Sequence, residues 1–215
     1  MSNTQQRILV GAILALVAGA AALGESFGFP AVRWLGVTVV IMMIVEMAAM
    51  MSRNRAQLAR PGNVLICGAF IAWLLLMLAS VYAVGTRPWI ILLLLMIIVA
   101  ADVGAWLFGR IIGGDKMWEN MSAGKTWSGQ IAGILCGTAA AVLYGLLGTD
   151  TFMPQLMWIG ISVALLSQYG DLTASWIKRR MGVKDFGNIL PGHGGLIDRF
   201  DGWIYVLPII WLVMM

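Results

Sequence analysis

Charge is what this chain has least of. Asp, Glu, Lys and Arg make up 11% of its 215 residues, against 60% hydrophobic residues and a mean hydropathy of +0.89. So few polar side chains cannot cover a core of this size, which excludes an ordinary soluble domain. Cysteine is scarcer still. Cys67 and Cys136 lie far apart in apolar stretches, which excludes a disulfide framework or zinc spacing and leaves two small buried residues. Histidine occurs once, at His193, so an imidazole metal cluster has no companions to draw on.

Long apolar runs, by contrast, are plentiful. Several reach the roughly 20 residues that cross a hydrocarbon core about 30 Å thick. The hydropathy predicts spans near 7–23, 30–51, 62–84, 87–112, 127–148, 151–176 and 200–215. Loop residues punctuate them at Gly24-Glu25-Ser26, Arg60-Pro61-Gly62, Gly85-Thr86-Arg87-Pro88 and Gly148-Thr149-Asp150. The expected fold is an all-α polytopic transmembrane bundle of about seven spans forming a single domain, 1–215. No internal repeat shows, and no soluble domain has room. The first span is short, has one Arg before it and carries Ala18-Gly19-Ala20 near its end, so it also fits a cleaved signal peptide.

Basic residues set the orientation. Arg7, then Arg53, Arg55 and Arg60, then Arg110, Lys116 and Lys125, then Lys178, Arg179, Arg180, Lys184 and Arg199 fall on one side, twelve of the fourteen. Only Arg33 and Arg87 fall on the other. The positive-inside rule puts the N-terminus and the twelve in the cytoplasm, as expected for a bacterial inner-membrane protein. The pI near 9.4 follows from these loops and gives no reason to expect nucleic acid.

Acidic residues carry the sharper signal. Asp102 falls roughly 21 Å along span four and Asp171 roughly 25 Å along span six, at 1.5 Å per residue, so both approach the cytoplasmic boundary. A carboxylate there faces a partner or a wet cavity, or else snorkels to water from a helix end. Ser175, Lys178 and Arg179 follow Asp171 at i+4, i+7 and i+8, on one helical face. The next loop adds Lys184, Asp185, His193, Asp198 and Asp201 with Gly187, Gly192, Gly194 and Gly195. A positive-inside belt accounts for Lys178-Arg179-Arg180 but not for the acids and glycines beside it. Carboxylates with cations suit phosphate esters, whose Mg²⁺ is held by Asp oxygens and whose phosphate oxygens are held by Lys and Arg. Ser122-Ala123-Gly124-Lys125-Thr126 is not a nucleotide P-loop, because Glu119 stands where the motif needs Gly and a membrane helix is expected where it needs a strand. His193 reads as a donor to phosphate or as a loop-ordering residue.

The pattern Ser175-x2-Lys178-Arg179-x4-Lys184-Asp185, then Pro191-Gly192-His193-Gly194-Gly195, then Asp198-Arg199-x-Asp201 resembles the signature of phosphatidate cytidylyltransferases. Gly170-Asp171-Leu172, Asp102-x-Gly-Ala-Trp-x2-Gly-Arg110 and Lys125-Thr126-x2-Gly129 resemble further blocks of that family, so the likeness covers 102–201 in order. Two departures stand out: Ser128 replaces a usual Glu, and the N-terminal half is shorter than typical.

The resemblance implies a reaction in which CTP and phosphatidic acid give CDP-diacylglycerol and pyrophosphate, at a site where CTP arrives from water and acyl chains stay in membrane lipid. It implies Mg²⁺ as cofactor, held by Asp171 and Asp198. Lys125, Lys178, Arg179 and Lys184 would hold the triphosphate or the lipid phosphate. Ser175, His193, Arg199 and Asp201 complete the substrate-binding set. Asp102 would orient a cation such as Arg110 or assist the metal. A homodimer is implied by resemblance and by Gly- and Ala-rich faces on spans one and five. Two other readings remain: a CTP-dependent lipid-alcohol kinase, and a catalytically silent scaffold, kept open by Ser128. A transporter needs polar groups near the midplane, whereas spans two, three and five read as almost free of charge.

Overall fold

A computed structural model describes residues 20–21, 24, 28, 30–118, 122–149, 153–190 and 194–215. The expected span at 7–23 falls almost wholly outside these residues, and His193 falls outside them too. The contacts gather into two compact units, Met1–Pro88 with Trp176–Met215, and Trp89–Ser175.

The first unit holds α1 (Ala31–Arg53), α2 (Arg55–Leu58), α3 (Asn63–Val84), α7 (Ile197–Phe200) and α8 (Trp203–Met214). Asn54 ends α1 by turning both its backbone N–H and its side-chain amide back to the Met50 carbonyl. Gly62, at φ +80°, supplies the left-handed residue that starts α3 after Pro61. Val40, Met43, Met47 and Met50 are buried on α1, and Cys67, Phe70, Leu74, Met77, Val81 and Val84 on α3. Both sets recur every three or four residues, so each helix offers one continuous seam, and the two helices pack together.

Pro208 lies inside α8 and cannot donate to the carbonyl four residues back, at Ile204. The Trp73 indole N–H on α3 donates to that carbonyl at 2.7 Å. In a bilayer such a freed carbonyl has no water to turn to, so a neighbouring helix must supply the donor.

The second unit holds α4 (Pro88–Ile112), a hairpin of β1 (Lys116–Trp118) and β2 (Ser122–Thr126), α5 (Trp127–Thr149) and α6 (Pro154–Arg180) up to Ser175. Pro88 and Pro154 each open a helix, where their missing N–H costs nothing. Small residues let the helices approach closely. A Cβ at Gly104 would strike Cys136, one at Gly137 would crowd Ile97 and Ala164, and one at Gly160 would strike Thr138. Gly129, Gly133 and Gly137 therefore serve close packing inside this unit.

Helices dominate as expected, with one addition: the stretch before span five is an antiparallel hairpin, Lys116 opposite Thr126 and Trp118 opposite Ser122. Among the described residues four helices are long and apolar enough to cross a membrane: Ala31–Arg53, Asn63–Val84, Pro88–Ile112 and Trp127–Gly148. α6 has the length, at 27 residues, but its last turns are polar. α8 has 12 residues, shorter than the span expected at 200–215.

Candidate active site

The signature residues form two clusters, one in each unit. In the second unit, Lys125 ends the hairpin. Thr126 caps α5 by accepting the Gly129 N–H on its hydroxyl at 3.2 Å, which fixes the helix start just after Lys125. Lys125 Nζ lies 2.6 Å from Asp171 Oδ2, with side chains 23% and 39% exposed. Ser175, one turn on along α6, donates its hydroxyl to Asp171 Oδ1 at 3.3 Å. Asp102 on α4 lies within electrostatic reach of both Asp171 and Lys125. Two carboxylates and one ammonium thus converge here. Lys125 is a cation near Asp102, and the Arg110 guanidinium lies over the Trp106 ring, 6.0 Å from its centre.

Ser128, at the position where the resembling family carries Glu, has a local task. Its hydroxyl shares a 3.1 Å hydrogen bond with Thr126 and donates to the Gly113 carbonyl, bracing the start of α5 against the end of α4.

In the first unit, Lys178 Nζ sits 2.5 Å from Asp198 Oδ1, with side chains only 12% and 6% exposed. Asp198 Oδ2 accepts the N–H of Phe186 at 3.0 Å and of Gly195 at 3.1 Å. One carboxylate therefore ties both edges of the 182–199 loop to the lysine of α6. Phe186 is buried, stacks on Phe70 with centroids 6.1 Å apart, and presents its ring to Lys178. Within the loop Gly194 takes φ +83° and bridges back to Leu190, whose N–H donates to the Gly194 carbonyl at 3.1 Å. Arg180 is held away from this cluster by the Asn63 side chain at 2.6 Å.

Lys184, Arg179 and Arg199 lie on the surface of this unit, and Asp201 accepts the Gly202 N–H at 2.8 Å. Among the described residues no group of three or more His, Cys, Asp or Glu side chains is arranged to hold a metal.

One charged group went unread in the sequence. Glu46, inside α1, is 2% exposed, accepts the Ile197 N–H at 2.8 Å and lies against Gly187 and Gly195. The signal was an acid within an apolar span, which costs enough to demand a partner. Span two is thus not a charge-free helix.

The sequence model of the Cytidylyltransferase family matches residues 1–215. The chain belongs to that family. It is 34% identical over 174 residues to a phosphatidate cytidylyltransferase of Staphylococcus epidermidis, covering 80% of this chain and 66% of that protein. It is 42% identical over 124 residues to one of Staphylococcus aureus, covering 56% of this chain and 46% of that protein. One of Staphylococcus saprophyticus is 39% identical over 121 residues, again covering 46% of the relative. The cytidylyltransferase chain therefore spans less than two thirds of the length of these curated relatives.

Proposed function

We propose that this cytidylyltransferase moves the cytidylyl group of CTP onto phosphatidic acid, giving CDP-diacylglycerol and pyrophosphate. The observation that carries the reading is the pair of lysine–carboxylate clusters, Lys125–Asp171 and Lys178–Asp198, built from the residues that resemble the family signature. Such pairs are poised for phosphate. Each lysine can exchange its carboxylate for a phosphate oxygen, and each carboxylate can then take a cation.

A magnesium ion fits these donors. It prefers hard oxygens and, on nucleotide substrates, needs only one or two carboxylates besides phosphate and water. Among the described residues Asp171 Oδ1 is engaged by the 3.3 Å contact from Ser175, which leaves it acceptor capacity to give. Among the described residues Asp198 accepts three hydrogen bonds, against the roughly four acceptor positions of a carboxylate. When bound, magnesium would supply charge neutralisation on the phosphates of CTP.

An oxygen of the lipid phosphate attacks the α-phosphorus of CTP. A new P–O bond forms, the bond from the α-phosphorus to the bridging oxygen breaks, and pyrophosphate leaves with that oxygen. The second pKa of a phosphate monoester is about 6, so the nucleophile is already ionised at neutral pH and needs no general base. Lys125 and Lys178, with the exposed Arg179 and Lys184, would hold non-bridging oxygens and stabilise the leaving group. Ser175, His193, Arg199 and Asp201 would complete substrate binding, and Asp102 would steady the Lys125–Asp171 pair.

We further place the N-terminus and both clusters on the cytoplasmic side of a bacterial inner membrane, in a single domain of seven spans. The segregation of twelve of the fourteen basic residues supports that orientation. A homodimer is retained on the family resemblance and on the small residues of span one.

Turnover by purified protein tests the reaction. Product should require CTP and Mg²⁺ and vanish on chelation. Label in the α-phosphate of CTP should enter lipid, while γ-label should leave as pyrophosphate. Recovery of γ-label in lipid with accumulation of CDP would instead make the protein a lipid-alcohol kinase. No CTP-dependent product at all would leave the silent scaffold.

A further inference from the structure

Glu46 has no role in the chemistry above, yet its placement is specific. It is a carboxylate inside an apolar helix, 2% exposed, where an isolated charge is costly. Oε2 accepts the Ile197 N–H at 2.8 Å, and the backbone N–H of Leu196 also lies beside the same carboxylate. Next to Ile197 in the chain is Asp198, the carboxylate that pairs with Lys178.

The glycines of the loop make room for this side chain. The three heavy atoms that a Cβ at Gly187 would meet all belong to Glu46, and a Cβ at Gly195 would lie 2.7 Å from each of its carboxylate oxygens. Neither glycine has a positive φ, so close approach explains them and backbone conformation does not. Asp198 bonds the N–H groups of Phe186 and Gly195, while Glu46 packs beneath Gly187 and Gly195 and bonds Ile197. The two carboxylates thus grip the same two edges of one loop, Asp198 from within the loop and Glu46 from α1.

We propose that Glu46 is a positioning residue: through the Ile197 N–H and the two glycines, it holds the loop backbone so that Asp198 faces Lys178. It acts through Asp198 and touches no substrate. In its effect on turnover this inference rests on the cytidylyl-transfer reading; in its structural effect it does not.

The test uses the full-length protein in detergent or nanodiscs. Glu46→Ala should lower kcat about tenfold or more, while KM for CTP and for phosphatidic acid stays within about threefold of wild type. Glu46→Gln should stay within about threefold in all three constants, because its amide oxygen still accepts the Ile197 N–H. Gly187→Ala should be impaired as Glu46→Ala is, and should cost little more when added to Glu46→Ala, since its clash partner is then gone. Hydrogen exchange of the peptide carrying Ile197 should speed up in Glu46→Ala and not in Glu46→Gln.

Glu46→Ala within twofold of wild type, Glu46→Gln as impaired as Glu46→Ala, or additive effects of Glu46→Ala and Gly187→Ala would each overturn the proposal. So would unchanged exchange at Ile197 in Glu46→Ala. If wild-type protein forms no CTP-dependent product, the transferase reading falls by itself, and the exchange experiment still decides the role of Glu46.

Discussion

Asp171 and Asp198 carry the same charge in different surroundings, and their substitution should separate them. The Lys125–Asp171 pair is partly exposed, and such pairs contribute about 1 kcal/mol or less. Asp171→Asn should therefore abolish turnover while thermal unfolding in detergent barely moves. The Lys178–Asp198 pair is nearly buried, and removing one partner strands the other at a cost of about 3–5 kcal/mol. Asp198→Asn should abolish turnover and also lower the unfolding temperature clearly; near wild-type turnover in either variant would remove that residue from the site. Lys184→Gln, on an exposed residue, should reduce turnover with no loss of stability. That Asp171, Ser175 and Lys178 share one helical face was legible, because spacing alone puts them there. The partner of Asp171 was not, because Lys125 reaches it only after a hairpin and a capped helix start, a tertiary placement that periodicity does not encode. Glu46 was legible in principle, as an acid in an apolar run, but its meaning appears only with Gly187 and Gly195 folded over it.

At the scale of elements, hydropathy located helices well wherever the run was long and the ends punctuated, as at Arg60-Pro61-Gly62 and Pro88. It placed the last helix too early and too long, because Asp201 and Gly202 belong to the loop side of α8. The β1–β2 hairpin was read as loop: its strands are short and lack alternating apolar residues, so only the pairing itself reveals them. The bond from Trp73 to the Ile204 carbonyl gives the helices of the first unit a measurable coupling. Trp73→Phe leaves that buried carbonyl without its donor and should cost about 1–3 kcal/mol. Pro208→Ala restores a backbone N–H to the same carbonyl, so Trp73→Phe should cost less in that background. Equal costs in both backgrounds, from unfolding in a double-mutant cycle, would mean the indole bond does not compensate for the proline.

For the whole molecule, the asymmetry of its basic residues makes a topological statement. A cysteine placed at Lys184 should react with an impermeant reagent only from the cytoplasmic side, and one at Thr149 only from outside. The reverse pattern would overturn the orientation and deny CTP its access. The first unit is also discontinuous in sequence: its opening helices must wait for Trp176–Met215 before it is whole. Glu46 and its hydrogen-bond donor Ile197 are 151 residues apart, and at about 5–20 residues per second the ribosome needs roughly 8–30 s to make the second after the first. During that interval the Glu46 carboxylate has not yet met the Ile197 N–H that it accepts in the folded protein. The arrival of the signature loop ends that wait, so the charge in α1 is met only when the loop that carries Asp198 has been made.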